Sequence, residues 1–98
     1  LVALPIQLRV HYGRLAKAAG VSRASLRQAG PEELRQLAME PGGASPVCGR
    51  DDVLVVFDES VRGMERVYCG SGRADRSVEV DARELLRLIK PLTAPVAS

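Results

Sequence analysis

Val53-Leu54-Val55-Val56-Phe57 is a continuous apolar run rich in β-branched residues. Such a run suits a strand covered on both faces, because a strand wet on one side alternates apolar with polar residues. Asp51 and Asp52 precede it and Asp58 and Glu59 follow it, acids that read as gatekeepers against aggregation rather than as catalysts. Two further strands are expected downstream, over Met64 to Cys69 and Ser77 to Val80, joined by the flexible Gly70-Ser71-Gly72 turn. Asp81, with Glu84 three residues later, then opens a helix like a capping box. Leu85, Leu86, Leu88 and Ile89 form its apolar side before Pro91.

Upstream, Leu4 to Tyr12 alternates, which predicts a strand with Leu4, Ile6, Leu8, Val10 and Tyr12 on one face and Pro5 at its start or on an edge. From Arg14 the spacing becomes helical. Leu15, Ala18 and Ala19 share a face, Gly20 suits a helix end, and Ser22 is placed to cap a second short helix running to about Ala29. Gly30 stops that helix and Pro31 opens a third, with Glu32 and Glu33 in its first turn, Leu34, Leu37 and Ala38 on one face, and Pro41-Gly42-Gly43 closing it. Residues 41–50 lack periodicity and read as a loop. The sum is an α+β domain: a small, three- to four-stranded, mostly antiparallel sheet with two or three short helices in the N-terminal half and one C-terminal helix. Residues 1–92 are expected to form this single domain, and residues 93–98 a flexible tail.

At 46% hydrophobic and 27% charged residues, the 98-residue chain is too apolar for a disordered protein and too mixed for a collagen or a coiled coil. No apolar run approaches the roughly 18 residues a membrane span needs, so no membrane association is expected. The opening Leu-Val-Ala-Leu is broken by Pro5, Gln7 and Arg9 without a basic segment before it, unlike a secretory signal. Cys48 and Cys69 form no C-x-x-C pair, and His11 is the only histidine, so neither a metal nor another cofactor is expected. Reduced thiols in a cytoplasmic protein follow from this reading.

The net charge of +2 is small, but its distribution is uneven. Arg9, Arg14, Lys17, Arg23 and Arg27 lie before Pro31, and all twelve carboxylates come after it. This asymmetry hints at a surface facing a polyanion. Catalytic templates do not fit. A hydrolytic triad would need His11, which falls on the polar side of a predicted strand with no nucleophile beside it. Cys69-Gly70-Ser71-Gly72-Arg73 differs from cysteine-phosphatase loops, because Asp75 stands where their arginine would be and Arg76 comes one residue late. Neither a dinucleotide fingerprint nor a Walker glycine-lysine pair occurs. No enzyme is expected.

One constellation stands out. Arg14-Leu15-Ala16-Lys17-Ala18-Ala19-Gly20-Val21-Ser22-Arg23-Ala24-Ser25-Leu26-Arg27-Gln28-Ala29 resembles the helix-turn-helix of bacterial DNA-binding regulators. Leu15 faces the core in that arrangement, Ala16 lets the second helix cross closely, and Gly20 takes the positive φ of the turn. The resemblance implies a DNA-binding regulator in which Ser22, Arg23, Arg27 and Gln28 approach base edges while Arg9, Arg14 and Lys17 contact phosphates. It implies duplex DNA as the partner, and a homodimer, since symmetric half-sites multiply the contacts of one short recognition element. The competing expectation is a non-enzymatic module that binds a protein or small ligand, oligomerising through a sheet edge or its C-terminal helix. An enzyme built on Cys69 would instead carry a thiol of lowered pKa.

Overall fold

The computed structural model describes residues 1–39, 45, 53–73 and 77–98. Among them, β2 (Val56–Asp58) is the central strand of a three-stranded sheet, between β1 (Val2–Ala3) and β5 (Leu92–Ala94). All three run parallel, in the registers Val2 to Val56 and Val56 to Leu92. Parallel neighbours require long crossovers, and the rest of the chain supplies them. Between β1 and β2 lie α1 (Tyr12–Ala19), a 3₁₀ turn at Arg23–Ser25 and α2 (Pro31–Gln36). Between β2 and β5 lie a 3₁₀ turn at Glu59–Gly63, β3 (Arg66–Gly70), β4 (Ser77–Asp81) and α3 (Ala82–Ile89).

The α+β class holds, and its antiparallel pairing is confined to the β3–β4 hairpin, where Tyr68 sits opposite Glu79. The apolar run 53–57 narrows to Val56 and Phe57 within the strand, both buried, while Leu54 before them stands 52% exposed. Val56 joins Leu15 and Val96 in one core, with Val10 and Leu26 packed around them. Its neighbour Phe57 points the other way and joins Val61 and Leu85, flanked by Val67, Val80 and Ile89. Period-two alternation along β2 therefore places one buried residue in each of two cores.

Three expectations change. Leu4 to Tyr12 does not form one strand: Leu8 N–H bonds Pro5 C=O at 3.0 Å, closing a turn that leaves Ile6 96% exposed. The chain reverses there, and Val10 pairs instead with Ala97 in an isolated antiparallel bridge. The proline that lacks a ladder donor marks where pairing with β2 stops. The expected second helix to Ala29 shrinks to the three residues Arg23–Ser25. Residues 93–98, read as a flexible tail, carry most of β5 and the fully buried Val96.

The reason for the last change lies in Asp58. This carboxylate is 5% exposed and accepts from Val96 N at 3.1 Å and Ala97 N at 3.2 Å through Oδ1. Oδ2 accepts from the backbone N and the hydroxyl of Ser60. Asp58 is thus a structural anchor for the C-terminal segment, where the sequence suggested a surface gatekeeper. On α3, Asp81 caps the helix by accepting from Arg83 N at 2.9 Å and Glu84 N at 3.1 Å, as its sequence signature predicts. Leu88 stands 71% exposed, because Ala82, Leu85 and Ile89 already fill the buried stripe one turn apart. The expectations that fall on Pro41-Gly42-Gly43, Cys48, Asp51, Asp52, Asp75 and Arg76 lie outside the described residues.

Candidate functional site

The residues singled out for DNA recognition do not assemble into a reading head. Helix α1 ends as anticipated at Gly20, whose φ of 73° is left-handed, with Val21 N–H returning to Ala16 C=O at 3.0 Å. Ser22 precedes the 3₁₀ turn but makes no side-chain cap. Arg23 lies in that single turn and rests over the Tyr12 ring at 4.8 Å. Arg27 and Gln28 are on irregular chain beyond it, and Arg27 is held by Glu33 at 2.6 Å. That hydrogen bond, foremost among several, keeps the Glu33 carboxyl below its ordinary pKa. A three-residue turn followed by an ion-paired arginine offers no helix to lay in a groove, so the helix-turn-helix reading fails on geometry. The homodimer argument, which needed that helix, loses its premise.

Arg9, Arg14 and Lys17 do share a region of surface. Arg14 and Lys17 stand one turn apart on the exposed side of α1, opposite the buried Leu15 and Ala16. The Arg14 guanidinium donates to Ala97 C=O at 3.0 Å, and Arg9 N–H bonds Ser98 C=O at 3.2 Å.

A different feature has the form of a ligand site. Beside the second core lies a cavity of about 390 Å³, within the size range of small-molecule pockets. Phe57, Val61 and Leu85 form its apolar base, and β3 and the turn at residues 4–7 contribute its other sides. Ile6 and Tyr68 both line it, although they are 96% and 76% exposed, so they stand at its rim. Its polar groups are Gln7, Arg66, the Tyr68 hydroxyl and Cys69. Arg66 is braced by Glu79 at 3.2 Å. Burial pushes the Cys69 thiol above its ordinary pKa, the opposite of what a thiolate nucleophile requires.

Among the described residues no carboxylate or imidazole lines the cavity, and His, Cys, Asp and Glu nowhere gather in threes that would hold an ion. Chemically, the arrangement suits a ligand with a compact apolar part and a polar end. Sequence reasoning passed over it because Ile6 was assigned to a strand's buried face and Tyr68 to an unremarkable hairpin. The signal it contained was Pro5, which a long half-buried strand would not tolerate in its interior.

A small α+β domain with a mixed apolar and polar pocket between its parallel sheet and a hairpin is the class that fold and site define. The chain belongs to the aminoacyl-tRNA editing domain family, whose family model matches residues 1–88. Solved structures agree on the fold. A hypothetical protein designated APE2540 is similar over 99% of this chain and 65% of its own, at 26% identity and a TM-score of 0.82. A scaffold protein used to present grafted linear epitopes shares the fold at 22% identity and a TM-score of 0.84, over 100% of this chain and 64% of its own. A protein proposed as a trans-editing enzyme for prolyl tRNA synthetase is 29% identical over 94% of this chain and 57% of its own, with a TM-score of 0.79. The chain therefore spans less than two thirds of the length of each of these structures. No curated protein matches it.

Family membership overturns the expectation of a DNA-binding transcription regulator and, with it, duplex DNA as the partner. It equally removes support from a non-enzymatic interaction module, and it corrects the expectation that the chain is no enzyme. Among the described residues, no helix is long and apolar enough to cross a membrane.

Proposed function

We propose that this domain takes part in hydrolytic editing of aminoacyl-tRNA, with the cavity between the 4–7 turn and β3 receiving the acylated 3′ end. The observation that carries the reading is a family match over residues 1–88 in a chain that holds an open pocket with an apolar base. In the reaction a water oxygen adds to the ester carbonyl carbon and the bond to the ribose oxygen breaks. That oxygen takes the proton, leaving a free amino acid and a deacylated tRNA. Phe57, Val61 and Leu85 take the amino-acid side chain, while Gln7 and Arg66 meet the polar end of the ligand. The apolar base favours an apolar side chain over a polar one, whose desolvation Phe57, Val61 and Leu85 cannot offset.

The test is loss of labelled amino acid from a panel of aminoacyl-tRNAs that includes proline-specific tRNA carrying amino acids other than proline. Selective hydrolysis of esters with apolar side chains is expected. Ile6→Ser and Tyr68→Ala change rim residues with little buried surface, so the fold should survive while the rate falls about tenfold. Hydrolysis no faster than in buffer across the whole panel defeats the proposal.

A further inference from the structure

The cavity touches Arg66, Val67, Tyr68 and Cys69, four consecutive residues of β3. Side chains alternate between the two faces of a strand, so a cavity that meets four in a row runs along the strand's edge, where the main chain is bare. The other edge of β3 is occupied by β4. Ala82 N–H bonds Glu65 C=O at 2.9 Å, next to the register Arg66 to Asp81 and Val67 to Val80. In an antiparallel ladder only alternate residues bond the neighbouring strand. Glu65, Val67 and Cys69 therefore turn their main-chain groups to β4, while Arg66 and Tyr68 turn theirs the other way, to the cavity. Among the described residues neither the Arg66 C=O nor the Tyr68 N–H has a hydrogen-bond partner. An open edge of this kind is a template for one more extended segment.

We propose that this edge reads the aminoacyl group itself: the acyl residue lies parallel to β3 opposite Val67, its α-ammonium donating to Arg66 C=O and its ester carbonyl accepting from Tyr68 N–H. The inference rests on the editing reading for the ligand's being an aminoacyl ester. Geometry selects the direction. In parallel pairing a residue bonds the two that flank the one opposite it, and its side chain takes the face of that opposite residue. Val67 packs on the core of Phe57, Val61 and Leu85, so an L side chain opposite it enters the apolar base. Antiparallel pairing opposite Tyr68 would turn it to the outer face, beside a residue that is 76% exposed. A D residue held by the same two bonds carries its side chain away from the base. The ammonium needs a neutral acceptor, since no carboxylate lines the cavity among the described residues. As water adds, the negative charge that grows on the carbonyl oxygen meets the Tyr68 N–H, which the paired strand holds in place.

The experiment titrates the full chain with stable amide analogues, L-alanyl and L-valyl 3′-amino-3′-deoxyadenosine, and follows amide protons by nitrogen-15 NMR. The Tyr68 amide proton should move downfield. The D enantiomers, and the propionyl and isovaleryl analogues that lack the amino group, should each bind at least about tenfold more weakly. Tyr68→Pro removes the N–H while sparing the β4 ladder, to which residue 68 donates nothing, and a strand edge tolerates proline. Its deacylation rate should fall about a hundredfold below that of Tyr68→Ala, which loses the ring but keeps the N–H. NMR dispersion verifies the fold of each variant, and the ligand series on the unaltered chain decides the matter if Tyr68→Pro unfolds. A Tyr68 amide that stays in place on binding, equal affinities across the series, no binding of any analogue, or equal rates in folded Tyr68→Pro and Tyr68→Ala would overturn the pairing. A chain that hydrolyses L- and D-aminoacyl-tRNA alike keeps the editing reading and loses the pairing. A chain that binds the L amides through Tyr68 N–H yet hydrolyses nothing keeps the pairing and loses the activity.

Discussion

Asp58 Oδ1 accepts a hydrogen bond from Val96 N at 3.1 Å, joining the end of the central strand to a residue 38 positions later. Burial disfavours the charged carboxyl, but the bonds from Ser60, Val96 and Ala97 outweigh that penalty and hold its pKa below the ordinary value of 3.8. Because the folded-state value is the lower one, the stabilisation is complete above the unfolded value of about 3.9 and is lost as pH falls through the folded value. Asp58→Ala leaves three backbone donors without their acceptor and should cost about 3 kcal/mol in urea denaturation at pH 7. The difference between wild type and variant should shrink below pH 4. A pH-independent difference would mean that charge plays no part in this anchor.

Val96 is fully buried between Val56 and Leu15, so the last residues belong to the core. Val96→Ala removes two methyl groups from a packed site and should cost about 2 kcal/mol. Truncation after Pro91 removes β5, Val96 and the two C-terminal donors to Asp58 together, and should abolish the cooperative unfolding transition. A truncated chain that still melts in one sharp step would show that the sheet needs only β1 and β2.

The sequence conveyed local features well and distant ones poorly. The Asp81 cap, the Pro31 start of α2, the Gly20 stop of α1 and the β3–β4 hairpin all depend on residues within a few positions of each other, and all occur where the pattern places them. What failed depended on partners far along the chain. The alternation of residues 4–12 looks like a strand until one knows that, of the N-terminal segment, β2 pairs with Val2 and Ala3 alone. The Thr93-Ala94-Pro95-Val96 stretch looks like a tail until Asp58 is placed beside it. The candidate cavity was invisible for the same reason, since its sides come from segments some sixty residues apart in sequence, at Ile6 and Tyr68.

Gly20 tests whether the α1 terminus is set by backbone conformation or by space. A Cβ built on it would meet nothing within 4 Å, yet its φ is 73°. Gly20→Ala should therefore cost about 1–2 kcal/mol from the left-handed conformation alone, and Gly20→Asn less, because asparagine tolerates that region. Equal costs for the two would mean that the glycine is kept for a reason other than its φ.

Cys69 separates editing by bound water from catalysis by a thiolate. The side chain lines the cavity, and burial holds its thiol above the ordinary value of 9.0. At neutral pH almost none of it is ionised, so alkylation by iodoacetamide should be at least about tenfold slower than for a free cysteine and should accelerate only above pH 9. A Cys48→Ser background isolates the signal, which peptide mass spectrometry can follow. Cys69→Ser in that background should retain deacylation of aminoacyl-tRNA, because a hydroxyl of nearly the same size fills the site while losing the nucleophile. Rapid alkylation at pH 7 together with loss of activity in Cys69→Ser would make the thiol a participant in the reaction and displace the water-borne scheme.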